Sequence, residues 1–244
     1  MGTDPSVAFA HGMRQTRIAL RSWQRDPAPV LGAWLAGSAV AACGLLLAVW
    51  GVAQLDSGYR PELVLGPPFA VGGSADVLGV LRSNLLVLAL HAMACVAGFI
   101  AGSSLPLQAA GRRGVSRWVH EHGGRLAIAF VAAATAFSLS AQAYVIGHSL
   151  AGVSHFLGVA PGVLLLGVLP HAIPELTALF LPLAAWIIAS RHGDWDQLLA
   201  ATAVTVAIAV PVLVAAAFIE VYVSPHLFTA LTGIQPSSVR YRYG

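Results

Sequence analysis

The sequence has 244 residues, of which 57% are hydrophobic and 9% are charged, and its formal net charge is +3. An ordinary soluble domain carries roughly 25% charged residues, so this composition, with a mean hydropathy of +0.77, excludes a soluble globular protein. All 13 basic residues are arginine. Because they form no basic run interleaved with aromatic residues, we expect no nucleic-acid partner.

The apolar residues fall in continuous runs that are long enough to cross a membrane. A hydrocarbon core of about 30 Å needs about 20 apolar residues in helical form. A transmembrane β-barrel would instead show strands of about 10 residues with alternating polarity. The sequence therefore predicts an all-α polytopic membrane bundle, with about five transmembrane helices, a re-entrant or half-helix segment and an N-terminal amphipathic helix.

Residues 1–29 are predicted to form a cytoplasmic amphipathic segment. The stretch "MRQTRIALRSWQR" places four arginines on one helical face, namely Arg14, Arg17, Arg21 and Arg25. Arginines beside an anionic leaflet favour an interfacial helix on the inner side of the membrane. The first 28 residues hold no apolar core followed by a cleavage site, so we expect no secretory signal.

Residues 30–223 are predicted to form the transmembrane bundle, and residues 224–244 a C-terminal tail. The first crossing is Val30 to Leu55, and the Gly- and Pro-rich segment Asp56 to Arg82 is an external loop. The second crossing is Ser83 to Ser103, and the third is Leu126 to Gly147. The loop between these two crossings carries four arginines and is therefore placed inside: Arg112, Arg113, Arg117 and Arg125.

The proline-bearing stretch Leu150 to Ser190 admits two topologies. If Leu150 to Leu169 is a re-entrant half-helix, the chain crosses five times and its tail is external; if that segment spans, there are six crossings. Arg191 favours five crossings, whereas Arg240 with Arg242 favours six. The short connection "IGHSLAG" suits a re-entrant turn, so we predict five.

Several ionisable or amide side chains lie inside these apolar runs, where a charge costs about 2.5 kcal/mol or more. With five crossings, the fourth begins at its outer end with His171 and Glu175, the fifth ends there with Glu220, and the second begins there with Asn84. His148 and His155 flank the re-entrant segment on that side. We predict a functional polar cluster of His171, Glu175, Glu220, Asn84 and His91.

The segment "LPHAIPEL" leaves the local geometry of this cluster open. A helix that begins at Pro170 places His171 and Glu175 four residues apart on one face, whereas one that begins at Pro174 leaves His171 in the entering chain. A structural tie between helices, a transport or lipid pathway, and a metal or catalytic site all remain open. His171, Glu175 and Glu220 are weak metal candidates, because no second histidine follows as in HExxH peptidases, and we expect no metal and no cofactor.

The second and third crossings each carry a stripe of small or polar residues. Asn84, His91, Cys95, Gly98 and Gly102 lie close to one face of the second crossing, and "GFIAG" is a GxxxG pattern. Small residues let a neighbouring helix approach closely, so Gly98 and Gly102 are assigned to helix packing. Thr135, Ser138 and Gln142 form a polar strip on the third crossing and receive the same assignment.

Three segments resemble the stage II sporulation protein M family: "VLPHAIPELTALFLPLAAWIIAS", "RSNLLVLALHAMACVAGFIAG" and "AAAFIEVYVSP". The resemblance covers about Val30 to Pro225. Ala172 replaces the usual glycine after the histidine, Ser83 replaces the first of two asparagines, "GHSLAG" replaces an Asn-Gly motif, and Pro174 is unusual, so the chain resembles a divergent member.

The resemblance implies an integral membrane protein whose family polar positions are His171, Glu175, Glu220 and Asn84. The sporulation member of the family is similar to a scaffold that gathers peptidoglycan-degrading enzymes. With no complete catalytic motif in the sequence, we expect a non-enzymatic, multi-pass scaffold of the bacterial plasma membrane. Expected partners are other membrane or envelope proteins, membrane lipids and a second copy of the chain. The alternatives are a transporter-type or lipid-handling component that uses an outer polar cavity, and a metal-dependent intramembrane enzyme.

Overall fold

The computed structural model describes residues 5–56, 73–104 and 113–235. Within these ranges the chain is almost entirely helical and has no β-strand. The helices are α1 (Pro5–Arg25), α2 (Ala28–Leu55), α3 (Ser74–Phe99), α4 (Gly114–Glu121), α5 (Gly123–Leu157), α6 (Pro161–His192), α7 (Leu198–Phe218) and α8 (Ser224–Thr232). A π-helical turn follows α3 at Ile100–Ser104 and another follows α7 at Ile219–Val223, and a 3-10 turn at Trp195–Gln197 precedes α7.

Five helical stretches are long and apolar enough to cross a membrane: Ala28–Leu55, Ser74–Gly102, Arg125–Leu157, Pro161–His192 and Trp195–Thr232. A bilayer permits such helices because each one satisfies its backbone hydrogen bonds internally. The predicted all-α membrane bundle with five long helices is confirmed, and the chain is a multi-pass membrane protein.

The amphipathic helix α1 presents its arginines to the surroundings. Arg14, Arg17, Arg21 and Arg25 are all exposed, whereas Ala19 is buried. Trp23 lies edge-on against Trp34 of α2, with ring centroids 5.1 Å apart. An aromatic contact of this kind anchors the amphipathic helix to the first transmembrane helix.

The predicted half-helix Leu150 to Leu169 is not a separate element in the described chain. Helix α5 continues to Leu157, and α6 begins at Pro161, where a missing N–H is tolerated in the first helical turn. Gly158 lies in the turn between them with φ of 66°, a left-handed conformation that a side chain disfavours. The segment is therefore divided between the ends of two long helices.

Other predicted boundaries also move. Residues 74–82, expected in the external loop, are the first turns of α3, and residues 224–232, expected in the tail, form α8. The fourth crossing begins at Pro161 rather than Pro170. Residues 57–72, 105–112 and 236–244, with Arg112, Arg240 and Arg242, lie outside the described residues.

The chain divides into two compact units, and each takes segments from all five long helices. The first unit comprises Met1–Ala39, Leu86–Ala136 and Ala178–Val210. Its core joins the end of α3 to α6 and the start of α7 through buried Cys95, Phe99, Leu183, Trp186, Ala189 and Leu198. A second cluster packs Trp34 of α2 against Leu181, Ala185 and Ala201.

The second unit comprises Val40–Leu85, Phe137–Thr177 and Pro211–Gly244. Val153 of α5, Leu164 of α6 and Phe228 of α8 form one of its apolar clusters, and Val77 of α3 packs with Ala217 and Val221 in another. Helix α5 also approaches α2 closely at Gly147, where an added Cβ would lie 2.6 Å from the Cβ of Val52. This unit contains most of the predicted polar cluster.

Close packing in the first unit also depends on glycine. A Cβ at Gly98 would overlap the indole of Trp186, and one at Gly102 would overlap the indole of Trp195. The neighbours of these two glycines are therefore tryptophan rings rather than the backbone of another helix. Large rigid rings fill the space that glycine leaves open.

We predict that Gly98→Ala and Gly79→Ala have opposite effects on stability. Both glycines lie in α3, but a Cβ at Gly79 meets nothing within 4 Å. Overpacking at Gly98 should lower the free energy of unfolding by about 1–3 kcal/mol, whereas Gly79→Ala should raise it by up to about 1 kcal/mol through helix propensity. Thermal unfolding in detergent measures both, and an unchanged melting temperature for Gly98→Ala would contradict the tight contact with Trp186.

Candidate functional site

A cavity of about 400 Å³ lies within the second unit. Its walls come from α2, α5 and α6, with Leu45, Leu150 and Leu165 among the apolar lining residues. Three of the predicted site residues line it together: His171, Glu175 and Glu220. Polar groups thus converge on one region of an otherwise apolar pocket, the usual composition of a small-molecule site.

Helix α6 determines where His171 and Glu175 lie. The helix is continuous from Pro161 through Pro170 and Pro174, so neither of the two predicted starting points is correct. Residues four apart share a helical face, and both side chains reach the cavity. Pro170 and Pro174 supply no N–H, so the carbonyls of Leu166 and Pro170 lack their helical donors. This local defect lies beside the polar residues.

His171 is held by the helix that follows the last crossing. Its Nδ1 lies 2.8 Å from the Oγ of Ser224, which is only 2% exposed and is the first residue of α8. The hydrogen bond joins α6 to α8 and fixes the imidazole ring. Ser224 was missed in the sequence, although it directly precedes Pro225 in the "IEVYVSP" segment.

Glu220 is positioned by the π-helical turn Ile219–Val223. Pro225, in the first turn of α8, has no N–H, and in an α-helix its ring would crowd the carbonyl of Val221. The wider turn that precedes it accommodates the proline. Turns of this kind are frequent at functional sites because they displace one side chain from the regular helical register.

Glu175 is the least satisfied polar residue of the cavity. Its Oε2 is buried without a hydrogen-bond partner, and its carboxyl interacts electrostatically with that of Glu220 and with the amide of Asn84. Asn84 is 8% exposed, and its Nδ2 makes no hydrogen bond in the described geometry. Unpaired buried polar groups of this kind are costly.

His91 does not line this cavity and belongs to the first unit. Its Nδ1 lies 2.7 Å from the carbonyl oxygen of Leu179, and because a carbonyl only accepts, Nδ1 carries the proton. Cys95, one turn further along α3, donates to the carbonyl oxygen of Pro182 at 3.1 Å. These two residues brace α6 near a third proline, which favours a packing role for them.

His148 and His155 have separate surroundings. Nδ1 of His148 contacts the Asp56 carboxylate just beyond the end of α2, and its ring stacks on Tyr144 with an interplanar angle of 8°. His155 is exposed near the turn between α5 and α6. Neither histidine is among the residues that line the cavity.

The weak metal candidates are not arranged as a ligand set. Among the residues that the structure describes, no group of three or more His, Cys, Asp or Glu side chains is placed to hold a metal ion. His171, Glu175 and Glu220 share the cavity, and the imidazole is bound to Ser224. The carboxyl oxygens of the two glutamates can accept hydrogen bonds from a donor.

A second polar feature lies on α5. Ser138 and Gln142 are both exposed, and Nε2 of Gln142 donates to Oγ of Ser138 at 2.9 Å. In the most apolar 18-residue stretch of Arg125–Leu157, only 6% is buried by the protein, against 22–56% of the corresponding stretches in the other four spans. Helix α5 therefore presents an amide and a hydroxyl on a largely uncovered apolar surface.

The family model described as stage II sporulation protein M matches residues 124–225. This match bears out the resemblance carried by the Pro-His…Glu and Ile-Glu segments, and it includes α5, α6, Glu220 and Ser224. Asn84 and helices α1 to α3 lie outside the matched range. No curated protein and no solved structure matches the chain.

We predict that His171 and Ser224 contribute to stability as one unit. His171→Ala and Ser224→Ala should each lower the free energy of unfolding by about 0.5–1.5 kcal/mol, the usual contribution of a hydrogen bond. The double variant should cost less than the sum of the two single changes. Thermal or denaturant unfolding in detergent measures this coupling.

Thr229→Val provides the control, because the Thr229 hydroxyl donates to the carbonyl of Pro225 within its own helix at 3.0 Å. Combined with His171→Ala, it should give additive losses. Additive losses for His171→Ala with Ser224→Ala would show that the bond between α6 and α8 does not stabilise the fold.

Proposed function

We propose that the protein is a non-enzymatic membrane scaffold. The match of residues 124–225 to the stage II sporulation protein M family supports this proposal. The protein's partners are other membrane or envelope proteins, including those that remodel peptidoglycan, as the family resemblance implies. The observation that carries the proposal is the exposed Ser138–Gln142 pair on the least buried of the five spans.

The physical basis is the cost of a side-chain amide facing hydrocarbon. Lipid tails offer no hydrogen bonds, so exposed polar groups in a transmembrane helix favour association with another helix. The surface around the pair is otherwise apolar, with Phe137 and Tyr144 exposed by 78% and 61%. A partner helix that carries a polar residue at the same depth would satisfy Gln142. A second copy of the chain meets this requirement, since an amide both donates and accepts.

We expect Gln142→Leu to weaken association with the partner about 3- to 30-fold, because interhelical polar contacts contribute about 0.6–2 kcal/mol. Co-purification after cross-linking in native membranes, together with native mass spectrometry, measures the loss. Gln54→Leu is the matched control, since Gln54 is also exposed but ends α2. Equal retention of partner chains by the two variants would remove α5 as the binding surface.

A second candidate function is supported by the cavity. A pocket with apolar walls and three converging polar residues suits a transporter-type or lipid-handling component. This candidate does not depend on the α5 surface, so the Gln142→Leu experiment leaves it untouched. The chemistry of its ligand is considered below.

The proposed orientation places the N-terminus in the cytoplasm. Exposed arginines favour the inner side of the membrane. They include Arg14 and Arg21 on α1, Arg113 just before α4, and Arg117 on α4. Five crossings then place the turn between α5 and α6 and the C-terminal end on the outer side.

Single cysteines test this orientation. A membrane-impermeant thiol reagent applied to intact cells should label Ala160→Cys and Gln235→Cys on the outer side but not Ser22→Cys on the inner side. All three positions are exposed, so a difference in labelling reports the side of the membrane. The parent protein provides the blank for native Cys43 and Cys95. Labelling of Ser22→Cys alone would reverse the orientation, and labelling of Gln235→Cys only after the inner face is opened would contradict five crossings.

A further inference from the structure

The cavity of the second unit has the size of a ligand site. Its volume of about 400 Å³ lies within the roughly 300–1,000 Å³ that is usual for small-molecule pockets. Aliphatic side chains from three helices line it, among them Val49 of α2, Val153 of α5 and Val168 of α6. Ile146, also on its lining, is 48% exposed, so the cavity is partly open. The alkyl chain of a ligand that enters from the surface would contact these aliphatic side chains.

The polar residues of the cavity carry acceptors without a cationic partner. Glu175 and Glu220 interact with each other, and none of the described residues that line the cavity is a lysine or an arginine. Two carboxyl groups in an apolar setting are costly unless a donor or a positive charge compensates them.

In the described geometry one carboxyl oxygen of the cavity lacks a hydrogen-bond donor. Oε2 of Glu175 is buried without a partner, and Nδ2 of the adjacent, 8% exposed Asn84 makes no hydrogen bond. Ser224 is engaged by His171. A hydrogen-bond donor that enters the cavity would satisfy this oxygen of Glu175.

We propose that this cavity binds an amphiphile with a primary ammonium head, whose N–H groups donate to Glu175 and Glu220 while its alkyl chain lies along the aliphatic walls. This inference rests on the lipid-handling candidate function and is independent of the scaffold. A compact ammonium supplies both the positive charge and several donors. A carboxylate head would bring neither a donor nor a positive charge, a hydroxyl head would bring no positive charge, and a trimethylammonium head would bring no N–H donor.

Photo-cross-linking tests the ligand class. The full-length protein in nanodiscs of phosphatidylcholine, a lipid without a primary amine, is labelled with a long-chain amine that carries a diazirine on its alkyl chain. Labelled peptides should map to the cavity walls on α2, α5 and α6. Unlabelled tetradecylamine should compete, whereas tetradecanoic acid and tetradecanol should compete at least tenfold more weakly. Equal competition by the amine and the acid, or by the amine and the alcohol, would overturn the proposal.

Variants connect the labelling to the two carboxyls. Glu175→Gln and Glu220→Gln keep the side-chain shape and should weaken amine competition roughly 10- to 150-fold, the range for a hydrogen bond to a charged group. Asp26→Asn is the matched control, since Asp26 is exposed between α1 and α2. Undiminished competition in both glutamine variants would also overturn the proposal.

Ala172→Phe still tests the proposal if the glutamine variants fail to fold. Ala172 lines the cavity, so the larger ring should block cavity labelling while both carboxyls remain, and persistent labelling of α6 would contradict the site.

Replacing phosphatidylcholine with phosphatidylethanolamine identifies the source of the ammonium. Displacement of the probe assigns the lipid headgroup, and persistence of the labelling assigns a free long-chain amine. If the parent protein does not bind the amine but still associates with its partners, this inference is refuted and the scaffold proposal stands.

Discussion

The structure depends on one constraint of the bilayer, which is that hydrocarbon offers no hydrogen bonds to the chain. The backbone must therefore satisfy itself within helices, and five long helices do so. Departures from regular helix are local: prolines inside α6, and the π turns after α3 and α7. His171, Glu175 and Glu220 all lie beside such departures.

Helix α6 contributes residues to both the cavity and the packing around Gly98. It is the most buried of the five spans. Its first half contributes His171 and Glu175 to the cavity, and its second half contributes Trp186 to the packing against Gly98. His91 and Cys95 reach its carbonyls at Leu179 and Pro182. Helix α6 therefore combines a structural role with the presentation of polar groups.

Two surfaces support the two proposals, and each is incompletely satisfied in a different way. The cavity has a carboxyl oxygen without a hydrogen-bond donor, whereas α5 has an amide exposed on an apolar surface. The first deficiency suits a small cationic amphiphile, and the second suits another helix. Because the residues involved do not overlap, variants at Glu175 and Gln142 separate the two functions experimentally.

The sequence by itself determined the membrane class, the five apolar spans and the amphipathic α1, because hydropathy and arginine placement are properties of composition and order. It could not decide the course of Leu150 to Leu169, since prolines are compatible with a break or with a continuous helix. It also could not pair His171 with Ser224 or separate His91 from the cavity. Those outcomes depend on which helices meet, and the tertiary structure decides that through contacts between residues distant in the chain, such as the 53 positions between His171 and Ser224.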